Sequence, residues 1–288
     1  MGQKDIGEKI LEAYNDVFAD IVNVLLFNGK QVLTEQELEE RAPRSAYKAD
    51  GKYREIERDV AKRWKTEDIR IACIGIENQT AIDKDMPLRV LAYDGAEYRA
   101  QLNQDDQSSR YPVVTIVLYF DYEKKWDEPL SLIECLNIPD DFKPFVNDYK
   151  VNLFDIAFLT DEQVKLFKSD FRFVADYFVQ KRKTGDYIPS SEEIKHVNET
   201  LSLMSIMTSD HRFEDAISPK SDDNGKEIRT MCDVLDRVEE KGIVAGELKA
   251  NIAAAKNMQE MGMDVSFIAK ALKVTEDVVK SWLGLQLA

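Results

Sequence analysis

Asp59, Glu77 and Gln79 are the residues of this chain whose types and spacing suit a chemistry. Glu77-Asn78-Gln79 closes the run Ile71 to Gln79, IACIGIENQ, in which every earlier residue is apolar or small. Such a run predicts a strand buried in a parallel or mixed sheet. An acid and an amide at its end admit two readings: a strand leaving the core for a loop, or a site. Asp59 stands 18 positions before Glu77. Two acids delivered to neighbouring points of a sheet can hold a hard divalent cation such as Mg²⁺, which keeps several waters of its own. A cation there makes a water more acidic and offsets the charge that builds on a phosphodiester during hydrolysis. Gln79, two residues beyond Glu77 and therefore on the same strand face, is placed to orient that water. The competing reading of Asp59 is a solvated acid among Glu55, Glu57, Arg58 and Lys62.

The elements that must position these residues follow from the apolar pattern. Ile6 to Phe27 has a helical period and stops before Asn28-Gly29, and its polar flank carries Asp16, Asp20 and Asn23. A polar, turn-rich passage runs to about Lys52. In YREIERDVAKRW, Tyr53, Ile56, Val60 and Trp64 suit a helix better than a strand. MPLRVLAYDGAEYRAQL predicts a helix opened by Pro87. Tyr111 to Phe120 and VNLFDIAFL from Val151 predict strands. This order gives a compact α/β core ending near Thr160. Helices are expected over 161–168, 170–182, 191–207 and 228–261. SPKSDDNGKE, residues 218–227, is the expected linker between a first domain, 1–217, and a helical appendage, 228–288.

Composition bounds the function. With 288 residues, 44% hydrophobic and 9% aromatic, the chain can bury one substantial core plus an appendage. A net charge of −15 weighs against nucleic-acid binding, which draws its affinity from Lys and Arg. A local basic patch or a bound divalent cation can still invert the potential at one cleft. Cys73, Cys135 and Cys232 are far apart and odd in number, and read as reduced structural thiols. No apolar run approaches the roughly 20 residues that span a bilayer, and the N-terminus lacks the layout of a secretory signal, so a cytoplasmic, non-membrane protein is expected. His196 and His211 read as helix-surface or loop residues. No Ser-His-Asp arrangement, phosphate-binding glycine loop or Cys/His spacing offers a rival site.

Five segments in order, YNDVFADIVNVLLFNGK, ERDVAKRW, IGIENQT, MPLRVLAYDGAEYRAQL and YPVVTIVLYF, resemble the PD-(D/E)XK nuclease family transposases, also called recombination-promoting nucleases (Rpn). The resemblance covers roughly the first 160 residues. It implies a restriction-endonuclease-like mixed sheet flanked by helices, and a hydrolase that cuts DNA with Mg²⁺ or Mn²⁺ in recombination. It also implies that Asp59 is the metal-binding aspartate, Glu77 the second acid and Gln79 the last position of the signature. An acid on the first helix often completes such sites, and Asp20 is expected there rather than Asp16. Many nucleases of this superfamily carry lysine where Gln79 stands; glutamine brings no charge but can position water. The family architecture also places the Asp59 segment on a strand beside Glu77, against the helical period read from its residues.

At the C-terminus, GMDVSFIAKALKVTEDVVKSWLG predicts two short helices about a turn at Lys273-Val274, with Thr275 capping the second. Phe267, Ile268, Ala271 and Leu272 are expected to pack on Val278, Val279 and Trp282. The second helix offers chiefly Lys280 against Glu276 and Asp277, so a DNA reader and a packing or assembly unit, including a homo-oligomer contact, both remain open. Two functions are therefore expected in turn: a metal-dependent DNA endonuclease, or a catalytically silent nuclease fold that binds nucleic acid or assembles.

Overall fold

A computed structural model of the chain describes residues 11–40, 44–49, 52–57, 59–66, 69–102, 110–217 and 228–285. These form two compact units, Met1–Met231 and Cys232–Ala288. The linker expected over 218–227 lies outside the described residues, as do residues 6–10 of the first expected helix.

The first unit is built on a five-stranded mixed sheet. Its strands are β1 (Leu38–Glu40), β4 (Val60–Thr66), β5 (Ile69–Gln79), β6 (Val113–Tyr119) and β7 (Asn152–Asp155), in the order β1-β4-β5-β6-β7. Strands β2 (Arg44–Ala49) and β3 (Lys52–Glu57) make a separate antiparallel pair. β5 runs antiparallel to β4 and parallel to β6, so the sheet changes direction at this strand. That places the start of β4 beside the end of β5: Val60 pairs with Ile76. The residue before Val60 is Asp59, and the one after Ile76 is Glu77.

Residues 53–64 are therefore two strands, not the helix that their period favours. Alternation along β4 is disguised because Lys62 occupies an inward position between Val60 and Trp64. Lys62 is 1% exposed; its stem lies in the core and its Nζ donates to the carbonyl of Ala13 at 2.6 Å. The passage up to Lys52, expected as turns, contains β1 and β2. β1 is held by main-chain pairing to β4, and its exposed Glu39 and Glu40 suit an edge strand.

Helix α1 (Asn15–Phe27) buries Val17, Phe18, Ile21, Val22 and Val24, and ends at Asn28 in the left-handed conformation. Residues 11–13 are also helical, but Tyr14 has extended backbone and breaks the run into two pieces. Helix α2 (Met86–Leu102) follows β5 over the span predicted and contributes Met86 and Val90 to a core with Val117, Tyr119 and Trp126. Its buried face is otherwise polar and fully engaged. Asp94 accepts from Thr115 and Tyr149, Glu97 accepts from the Tyr111 hydroxyl, and Gln101 bonds the Tyr111 backbone. Buried polar groups of this kind are tolerated because each finds a partner.

α3 (Leu132–Cys135) lies in the β6–β7 connection, and α4 (Asp161–Leu166), α5 (Phe171–Thr184), α6 (Val197–Thr208) and α7 (Arg212–Ile217) follow β7. The helix expected from Ser191 begins only at Val197. Ile194 N–H pairs with the Arg229 carbonyl, and the N–H groups of Lys195 and His196 donate to the Asp170 carboxylate, so this backbone is committed elsewhere.

In the second unit, most of α8 (Met231–Glu260) precedes α9 (Val265–Leu272) and α10 (Glu276–Leu283). Asp264 and Thr275 cap the two short helices. Ala255, Ile268, Ala269 and Val279 are buried together, with Val265, Leu272 and Trp282 packed on them. Phe267 and Ala271, expected in this core, are exposed, because the inward stripe of α9 is 265, 268, 269 and 272. No helix among the described residues is long and apolar enough to cross a membrane.

Candidate active site

Glu77 stands two residues before the end of β5, within reach of side chains from α2. Its side chain is almost fully buried, and Oε1 gathers three donors: Arg89 Nη2 at 2.5 Å, Gln79 Nε2 at 3.1 Å and the Tyr93 hydroxyl at 3.3 Å. Arg89 and Tyr93 are one helical turn apart on α2 and bond each other at 2.9 Å. Arg89 also donates to Asp83 at 3.0 Å, in the turn that opens α2. Burial works against the guanidinium's charge, yet Glu77, Tyr93 and Asp83 together outweigh it and Arg89 holds its proton more firmly than an ordinary arginine. Burial and the same carboxylate push the Tyr93 phenol up to about 12.

Asn78 ties two further acids to this point. Its backbone N–H donates to Asp59 Oδ2 at 2.6 Å, and its side-chain amide donates to Glu12 Oε2 at 2.7 Å. Glu12 is wholly buried. Burial pushes its carboxyl well above the usual carboxylate range, against the pull of the Asn78 amide and with help from the Asp59 and Glu77 charges. Asp59, Glu77 and Glu12 thus share one electrostatic neighbourhood, and the Tyr93 phenol feels both Asp59 and Glu77. The structure brings Asp59, Glu77 and Gln79 together.

Asp20 belongs elsewhere. Its carboxylate accepts from the N–H groups of Lys168 at 2.8 Å and Ser169 at 2.7 Å, beside a cavity of about 290 Å³ also lined by Asp16, Asn23 and Gln31. The N-terminal acid that reaches the cluster is Glu12. The extended residue Tyr14 breaks the helical phase between it and α1, so a helical wheel drawn through Asp20 does not predict where Glu12 points. Lys62, bonded to the next carbonyl, and the stacking of Tyr14 on His196 at 3.8 Å fix the bend. Removing the Asp20 carboxylate leaves two N–H groups unpaired. Asp20→Ala is expected to cost about 2 kcal/mol, lowering Tm in a thermal melt by about 4–8 °C.

The donor set suits a hard cation. Carboxylate and amide oxygens surround the point, and among the described residues Glu12 Oε1 and Asn78 Oδ1 are buried without a hydrogen-bond partner. No three His, Cys, Asp or Glu side chains among the described residues stand together as a ready-made cage. Asp59 Oδ2 is engaged by the Asn78 backbone and Glu77 Oε1 by Arg89, and a Mg²⁺-type site needs only one or two acids with water. Neither Glu12 nor Arg89 was legible as a site residue. The signals were an acid upstream of Asp16 on the same polar flank, and an Arg/Tyr pair spaced i, i+4 just after the strand.

A family model described as "Putative transposase, YhgA-like" matches residues 42–207, more than half of the chain. The family is of the PD-(D/E)XK, recombination-promoting-nuclease type. The matched span runs from β2 into α6 and includes Asp59, Glu77, Gln79, Arg89 and Tyr93, while Glu12 precedes it. No curated protein and no solved structure matches the chain.

Proposed function

The chain belongs to the YhgA-like family, and on that premise we propose that it is a divalent-cation-dependent DNA endonuclease, hydrolysing the backbone phosphodiester. The observation that carries this reading is that β4 begins beside the end of β5, so that Asp59, bonded to the Asn78 N–H, stands next to the strand position of Glu77. Asp59 and Glu77 would hold Mg²⁺ or Mn²⁺, with water completing the coordination. A cation held there supplies positive charge against the phosphodiester's developing negative charge and lowers the pKa of adjacent water.

The chain's own residues do the positioning. Asn78 fixes the Asp59 and Glu12 carboxylates through its backbone and side-chain amides. Gln79 spends one N–H on Glu77, which aims its amide along the strand face where water would be oriented. Tyr93, with its proton held up to about 12, remains a donor at neutral pH.

One observation favours the rival reading, a catalytically silent protein of the same fold that binds nucleic acid or assembles through its C-terminal helices. Glu77 already carries the Arg89 guanidinium, and Gln79 adds no charge. Two measurements decide between them: nicking of supercoiled plasmid with Mg²⁺ or Mn²⁺, and calorimetric titration of the same ions. The nuclease reading expects both nicking and binding, each dependent on Asp59 and Glu77. Absence of any such binding would leave the silent reading standing.

A further inference from the structure

Arg89 faces two ways. Its guanidinium is bonded to Glu77, a side chain only 4% exposed, yet the arginine side chain itself is 38% exposed and stands at the mouth of the site. Asp83, 29% exposed, holds it from the solvent side, and the buried Tyr93 hydroxyl holds it beside Glu77. A divalent cation ligated by the same carboxylate would compete with the guanidinium for Glu77 and repel it. The anchor on Asp83 would keep the displaced group at the rim rather than release it into solvent.

The substrate creates the need for such a group. A phosphodiester approaching this point meets Asp59 and Glu77 in a chain of net charge −15, and Gln79 brings no positive charge to offset them. A guanidinium is always charged and presents a planar fork of donors that matches two phosphate oxygens.

We propose that Arg89 is the phosphate-binding cation of this site, held on Glu77 until a divalent cation takes its place and then turned toward the substrate phosphate. This rests on the endonuclease reading above. It predicts opposite effects on the two ligands: removing Arg89 frees Glu77 for the metal and deprives the phosphate of its partner. A merely structural arginine, when lost, would weaken both.

The test uses the full chain, Arg89→Gln and Arg89→Lys, with Mn²⁺ titrated by calorimetry and supercoiled plasmid nicked at saturating Mn²⁺. Arg89→Gln is expected to bind Mn²⁺ about tenfold more tightly and to nick about 100-fold more slowly. Arg89→Lys, which keeps the charge but not the fork, should fall between. Mn²⁺ binding no tighter than in the parent chain, or nicking at the parent rate, overturns the proposal. Should Arg89→Gln melt below the assay temperature, Arg89→Lys decides: a nicking rate lowered about tenfold supports the assignment, and an unchanged rate overturns it. If the parent chain neither binds Mn²⁺ nor nicks DNA, the endonuclease reading itself falls. If the parent nicks and Glu77→Gln does not, that reading stands and the Arg89 variants test this proposal alone.

Discussion

Glu77→Gln is expected to lower Mn²⁺-dependent nicking of supercoiled plasmid by about 10³-fold or more, corresponding to roughly 4 kcal/mol of lost transition-state stabilisation. The substitution is close to isosteric. An amide oxygen at position 77 can still accept from Arg89 and Tyr93, so the contacts that seat α2 on β5 survive. What disappears is the negative charge that would hold the cation. The cost to folding is modest: the Arg89 partner is more than a third exposed, so solvent screens the broken ion pair and about 1 kcal/mol is expected. Circular dichroism and a thermal melt separate the two effects. Nicking within tenfold of the parent chain, in a folded variant, would remove the proposed mechanism. Glu77→Ala is the less clean probe, since it also leaves Arg89 and Tyr93 without their acceptor.

Glu12→Gln is expected to stabilise the protein by an amount that grows with pH. Glu12 is buried, and its folded-state pKa lies well above the ordinary glutamate value. The native chain therefore keeps a proton that the unfolded chain has released. Stability from this group is full below the unfolded pKa of about 4.3 and declines as pH rises toward the folded value. Glutamine carries no such penalty and can still accept from the Asn78 amide. The difference in Tm, variant minus parent, is expected to be near zero at pH 4 and to grow with pH, by about 2–4 °C for each kcal/mol relieved. The same variant should keep Mn²⁺-dependent nicking near the parent rate, because Glu12 bonds the Asn78 amide and holds its proton rather than a charge for the cation. A pH-independent Tm difference would mean that Glu12 is ionised in the native state. A large loss of nicking in the folded variant would place Glu12 in the cation site after all. Asp20→Ala supplies the contrast: it should lower Tm through its lost backbone contacts, and it touches none of the three acids.

These variants also mark where the residues of the chain speak for themselves. Local pattern was sufficient for α2, over Met86–Leu102, and for β6, because a helical period opened by Pro87 and a run of β-branched and aromatic residues each admit one structure. The end of β5 was legible for a similar reason: an apolar run that closes in Glu77-Asn78-Gln79 changes character within three residues. The C-terminal pair of helices followed from the turn at Lys273-Val274 and the cap at Thr275, although the inward stripe of α9 left Phe267 at the surface.

The rest depended on contacts between segments distant in the chain. Tyr53, Ile56, Val60 and Trp64 recur at helical spacing, and it is the pairing of β4 with β1 and β5, with Lys62 buried and bonded to Ala13 49 residues away, that makes it a strand. Whether Asp59 stands beside Glu77 is decided by the antiparallel register of β4 on β5, which no local period encodes. Glu12 reaches the site because Tyr14 breaks the helix and Asn78, 66 residues on, accepts the role of its partner. Arg89 reaches it because α2 lies across the end of β5. The sequence by itself determined α2, β6, the C-terminal helix pair and one strand end rich in polar groups; the tertiary structure decided the strands around Asp59 and which acids meet there, because charge and coordination act through space whereas periodicity reports only on the nearest turns of the chain.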